Sequence, residues 1–220
     1  MWNEQIIMML LEGIKDTLYM TLTSTLIGYV IGLPMGILLT VTDKDGIHPN
    51  AAVYKVLDVI ANLIRSVPFL ILLIVLIPFT RFLIGRSYGP TATIVPLVIA
   101  AAPFIARMVE SSLQEVDEGV IEAAKSMGAG TWTIIFRVLL VEARTSLIVG
   151  VTIALGTILG YSAMAGVVGG GGLGDIAIRY GYYRYQTDIM VVTIVILVLI
   201  VQVLQALGMM LSKKLDRRNK

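Results

Sequence analysis

The chain has no cysteine and a single histidine, His48. The first absence excludes disulfides, thiolate metal sites and a cysteine nucleophile; the second leaves no partner imidazole for a histidine-based metal cluster. Charge is scarce as well, at 15% of residues, and its signs nearly cancel: 17 Lys and Arg against 15 Asp and Glu leave a formal +2, too little for a nucleic-acid binder. No GxxxxGK[ST] phosphate loop occurs, so if ATP drives the process another chain holds the nucleotide. Neither a carboxylate pair nor a Ser/His/Asp set can be assembled inside or near the long apolar runs for enzyme chemistry. What is present is apolar: 57% of the 220 residues are hydrophobic, the composition of a membrane protein.

A membrane-crossing helix needs about 20 mostly apolar residues, because hydrocarbon cannot satisfy backbone polar groups. Charge-free runs cover 17–42, 66–80, 87–106, 145–174 and 189–212. Four are long enough alone, and the second becomes so when Val59–Ile64 joins it, with Arg65 near one interface and its stem snorkelling outward. The expectation is an all-α polytopic protein with five spans, about 17–42, 59–80, 87–106, 145–168 and 189–212. Residues 1–16 carry no basic run before their apolar stretch, which argues against a signal peptide. Trp2 to Ile14 reads either as a short amphipathic helix on the membrane surface or as a frayed end.

Positive charge sets the orientation. Lys44, Lys55, Arg65, Arg107, Lys125, Arg137, Arg144, Lys213, Lys214, Arg217, Arg218 and Lys220 fall on one side of such a five-span chain, and Lys15, Arg81, Arg86, Arg179 and Arg184 on the other. The richer side is cytoplasmic, so the N-terminus is expected outside and the basic tail, 212–220, inside.

The longest polar connection is 107–144, too long for a plain link between helices. Asp117 suits an N-cap leading through Glu122, Ala123 and Ala124 to Gly128, which suits a left-handed stop. Thr131 can cap a second short helix, in which Ile134, Ile135, Val138 and Leu139 form an apolar stripe for the bilayer surface or for other helices. Small residues at Ala123, Ala124, Gly128, Ala129 and Gly130 leave room for close approach by another protein.

The run Glu122-Ala123-Ala124, Gly128, Val138-Leu139-Leu140 resembles the EAA loop of permease subunits of type I ABC importers. Val141 stands where that family usually has a proline. Arg65-Ser66-Val67-Pro68-Phe69, Ala101-Ala102-Pro103-Phe104-Ile105-Ala106-Arg107-Met108-Val109-Glu110 and Gly160-Tyr161-Ser162-Ala163-Met164 are similar to the methionine-importer permeases, and the resemblance runs from about Thr17 to Leu211. It implies a type I ABC transmembrane domain over 17–211 in the bacterial inner membrane, whose EAA segment is a coupling helix moved by cytoplasmic ATPase subunits. Methionine, as D or L isomer, or a close derivative is the implied cargo, with another amino acid as the alternative. ATP and magnesium are expected on the ATPases and no cofactor on this chain. An extracytoplasmic methionine-binding lipoprotein is the implied donor. Five helices give little scope for enclosing a pathway alone, so a second copy is expected to supply the other wall.

Other features carry competing readings. Gly169 to Gly174 satisfy GxGxxG spacing, but they follow a span and not a strand, which argues against a dinucleotide loop. Gly28, Gly32 and Gly36, and again Gly156 and Gly160, put small residues four apart on helix faces for close packing, with Pro34 expected to loosen the first span. Tyr161, Ser162 and Met164 offer hydrogen bonds and a yielding thioether to a passing zwitterion, or are simply packed. Tyr180, Tyr182, Tyr183, Arg184 and Tyr185 suit an aromatic belt, or, by the resemblance, a docking surface for the binding protein. The centres of the expected spans hold no ionisable residue, which disfavours an ion-coupled carrier.

Overall fold

The computed structural model describes residues 4–215, and among them every regular element is helical. Trp2 and the tail residues Arg217, Arg218 and Lys220 lie outside the described residues. Helix α1 runs unbroken over Glu4–Thr42, about 58 Å at 1.5 Å per residue, which exceeds the hydrocarbon thickness. The expected surface helix or frayed end is therefore the first three turns of the first long helix. Its Leu10 and Gly13 are buried against Leu173, Ile176 and Ile189, which gives the segment a tertiary reason to stay helical.

The second span, expected over 59–80, is broken by a bend. Helix α2, Ala51–Ser66, and α3, Phe69–Val75, meet at an angle of 100°. The cause is local: Pro68 crowds the residue before it out of the helical region, and Val67 sits extended at φ −83°, ψ 125°. Helix α4, Ile77–Ile84, ends at Gly85 with φ 81°. Helix α5, Pro90–Gln114, then continues eight residues past the expected end at 106. Among the described residues four helices are long and apolar enough to cross a membrane, and the bent α2–α3 pair makes five.

The seam that organises the protein lies between α1 and α5. Gly28, Gly32 and Gly36 all face α5: a methyl on Gly32 would lie 2.6 Å from the Ala102 carbonyl oxygen, and one on Gly36 2.6 Å from that of Ala106. With little hydrophobic force between helices in lipid, such backbone approach supplies the dispersion contact that holds them. Ala101, Ile105 and Val109 of α5 fill the same core, together with Ala154 and Ile158 of α9, Arg144–Ala165. Short helix α10, Gly172–Ile176, tucks beneath α1, and α11, Thr187–Leu215, leans on α9 where Gly208 admits the Thr152 side chain.

Candidate functional site

The polar loop after α5 folds as two helical pieces joined at a glycine. Asp117 caps helix α6, Glu118–Ser126, its carboxylate accepting the Gly119 N–H at 2.8 Å. At the other end the Ala129 N–H donates to the Ala124 carbonyl and the Gly128 N–H to that of Lys125, with Gly128 at φ 79°. That pair of bonds is the Schellman stop, which needs a left-handed residue where Gly128 stands. A three-residue helix α7, Thr131–Thr133, continues through a π-helical stretch, Ile134–Leu139, into α8, Leu140–Glu142, which includes Val141. Thr131 is the first helical residue and not the cap; its hydroxyl instead meets His48 Nε2 at 2.6 Å, tying the link after α1 to this loop.

The four EAA-segment residues face different surroundings. Ala124 is buried with Ile134, Ile135 and Leu139 in the main core, so the stripe expected on the second piece packs on other helices, with Val138 half-buried beside it. Glu122 and Ala123 are exposed, and Gly128 has no neighbour within 4 Å of where a side chain would start. Beside them Met127, Trp132 and Phe136 stand in the open at 81%, 73% and 57% exposure, the two rings stacked at 5.9 Å. Sequence reading missed that aromatic pair, although its spacing of four on the face opposite Ile134 and Ile135 was legible.

A second unforeseen feature is a charged clasp on α5. Arg107 donates to Glu110 Oε2 at 2.7 Å and to Asn62 Oδ1 at 3.0 Å, and it pairs with the Asp58 carboxylate. Glu110 is buried, with 7% of its side chain exposed. These partners carry α5 through charges that ended the expected span at residue 106. Lys55, Asp58, Asn62 and Arg65 recur at helical spacing on α2, and the clasp engages the middle two. Val56, Val59, Ile60 and Leu63 are exposed on α2.

In α9 the expected pathway residues separate. Tyr161 stacks on Phe69 of α3, centroids 4.4 Å apart and rings 7° from parallel. Ser162 is buried and donates its hydroxyl to the Leu159 carbonyl at 2.7 Å, so its donor is already spent within the helix. Met164 is half-exposed and Gly160 has open space beside it, whereas Gly156 faces Gln205 of α11 at 3.6 Å. A cavity of about 240 Å³ between Arg65, Val67, Phe69, Ala100, Phe104 and Tyr161 lies at the α2–α3 bend. Arg65 lines this half-open cavity and is itself exposed.

The glycine run serves packing. Gly169, Gly171 and Gly172 adopt positive φ, and the turn they make brings the Leu173 N–H to the Thr17 hydroxyl at 2.9 Å. On the far side of α10, Arg184 lies over the Tyr180 ring at 4.5 Å, while Tyr182, Tyr183 and Tyr185 are exposed.

The architecture and sequence both match known proteins. A probable D-methionine transport system permease protein, MetI, from Vibrio cholerae is 48% identical over 210 residues, covering 96% of this chain and 93% of that protein. The methionine import system permease protein MetP of Bacillus subtilis is 47% identical over 203 residues, covering 92% and 91%. A crystal form of the MetNI methionine ABC transporter in inward-facing conformations aligns with a TM-score of 0.97 at 46% identity, over 98% of this chain and 100% of that one. An amino acid ABC transporter at 21% identity and TM-score 0.79 shares the fold. Residues 28–220 match the binding-protein-dependent transport system inner membrane components. The chain belongs to that family and is an all-α, multi-pass inner-membrane transport subunit with the type I importer permease fold.

Proposed function

We infer that this chain is the membrane-spanning permease subunit of an ATP-driven importer of methionine. The observation that carries the reading is the match to the MetNI methionine transporter along nearly the whole chain at 46% identity. In the assembly we propose, two copies form a two-fold dimer, two ATPase subunits carrying ATP and magnesium bind the cytoplasmic face, and a methionine-binding lipoprotein delivers cargo to the outer face near Tyr182, Tyr183 and Tyr185. The N-terminus is outside and the C-terminus inside. Helix α6 is the lever. Ala124 anchors it to the core, Glu122 and Ala123 present the docking face, and Gly128 lets α6 tilt without dragging α7. Tyr161 and Met164 border the path, and Ser162 shapes the helix between them.

The absence of native cysteine makes orientation easy to test. A single cysteine in place of Met127 should react with an impermeant thiol reagent in inverted vesicles and not in intact cells; the opposite pattern rejects the orientation. In proteoliposomes holding the complex, ATP and binding protein, methionine uptake should be saturable and resist collapse of ion gradients. Gly128→Trp should leave the complex assembled and hydrolysing ATP while uptake falls to background, and full uptake by that variant rejects the lever.

A further inference from the structure

The cavity at the α2–α3 bend has a cation in its wall. It is lined in part by Ala100 and Phe104 of α5, and Phe104 stands ten residues before the end of that helix, about 15 Å along its axis. Arg65 itself is exposed, so its guanidinium is open to a solute entering the cavity. Arg65 has no ion pair or hydrogen bond to any described residue, in contrast to Arg107, which has three side-chain partners, two of them on α2. Next to this free guanidinium are the stacked Phe69 and Tyr161 rings, Leu72 and Phe104. One cation beside an aromatic and aliphatic wall, in about 240 Å³, is complementary to a small molecule with a carboxylate at one end and an unbranched apolar side chain at the other.

We propose that this cavity is a resting site for the amino acid inside the permease, with Arg65 binding the α-carboxylate and the Phe69–Tyr161 stack and Phe104 receiving the thioether chain. The site rests on the methionine-import reading and goes beyond it by naming the contacts within the permease. The bend that Pro68 imposes has a role here. It ends α2 so that Arg65, in its last turn, lines the cavity, and it starts α3 with Phe69 against Tyr161. Sulfur over an aromatic edge is a favourable contact, which suits the wall to methionine among apolar amino acids.

The test uses the cysteine-free chain in complex with its ATPase subunits, without nucleotide. Leu72→Cys puts a thiol in the cavity wall, Ile64→Cys does the same should the first variant fail to assemble, and Val75→Cys provides an exposed thiol that does not line the cavity. Alkylation of this chain is followed by mass. Methionine at ten times its dissociation constant should slow reaction at Leu72→Cys about tenfold, by simple mass action, and leave Val75→Cys unchanged. Methioninol, which lacks the carboxylate, should protect poorly. Adding Arg65→Gln should weaken binding on the order of tenfold and cut protection at the same methionine concentration to about twofold. Absence of protection by methionine in the complex, or protection that survives Arg65→Gln unchanged, overturns the site; the latter result would leave Arg65 as a charge that merely complements the end of α2. ATP-driven methionine uptake by the unmodified complex, measured alongside, tests the transport reading separately.

Discussion

Helices α5 and α11 are both long enough and apolar enough to cross a bilayer, yet their surroundings are opposite. In the most apolar stretch of α5, 67% of residues are buried within the protein; in α11 the figure is 11%. The more hydrophobic helix is the peripheral one. α11 is rich in Val, Ile and Leu, which lipid tails solvate as well as protein does, whereas α5 carries Ala101, Ala102, Pro103, Arg107 and Glu110, which only close backbone packing or specific partners can accommodate. In a membrane, burial follows small size and polarity more than apolarity, the reverse of the rule for soluble cores.

Four substitutions sharpen that contrast, and thermal stability of the purified complex is the measurement for each. Arg107→Leu leaves Glu110 buried without its cation and should cost about 3–5 kcal/mol, much of it restored when Glu110→Gln is added. No restoration would mean that the clasp acts through Asp58 and the α2 contact instead. Gly36→Ala drives a methyl against the Ala106 carbonyl and Val109, and should cost about 1–3 kcal/mol because backbone cannot step aside as a side chain can. Gly128→Ala meets no neighbour, so only its left-handed backbone is penalised, by about 1 kcal/mol. Val198→Ala on the open face of α11 should fall within about 0.5 kcal/mol of the parent. A large loss at Val198 would show that α11 has a protein partner where lipid is inferred.

The EAA segment was legible because its signals are local. Asp117 as cap and Gly128 as stop depend on bonds within a dozen residues, and both occur as read. Thr131 misled because a threonine before an apolar run suits a cap equally well until His48, 83 positions away, takes its hydroxyl. Arg107 misled for a similar reason. A span was ended at the first charge, yet Asp58 and Asn62 on another helix satisfy that charge and let α5 continue. Trp132 and Phe136 are not singled out by the pattern because Ile134, Ile135 and Leu139 beside them form an apolar stripe of the same spacing, and only the fold decides which face is buried.

Apolar runs about 20 residues long, uneven basic charge and short capping patterns sufficed to establish a helical membrane protein, its approximate spans and the form of the polar loop, since each rests on the preferences of contiguous residues for lipid, water or a turn. Folding in three dimensions decided the rest. It turned the chain through 100° at Pro68, brought Arg65 beside Phe69 and Tyr161, and made the glycine face of α1 the seat of α5. Those outcomes depend on distances between residues far apart in the chain, and on whether a charge or a missing side chain finds its complement there.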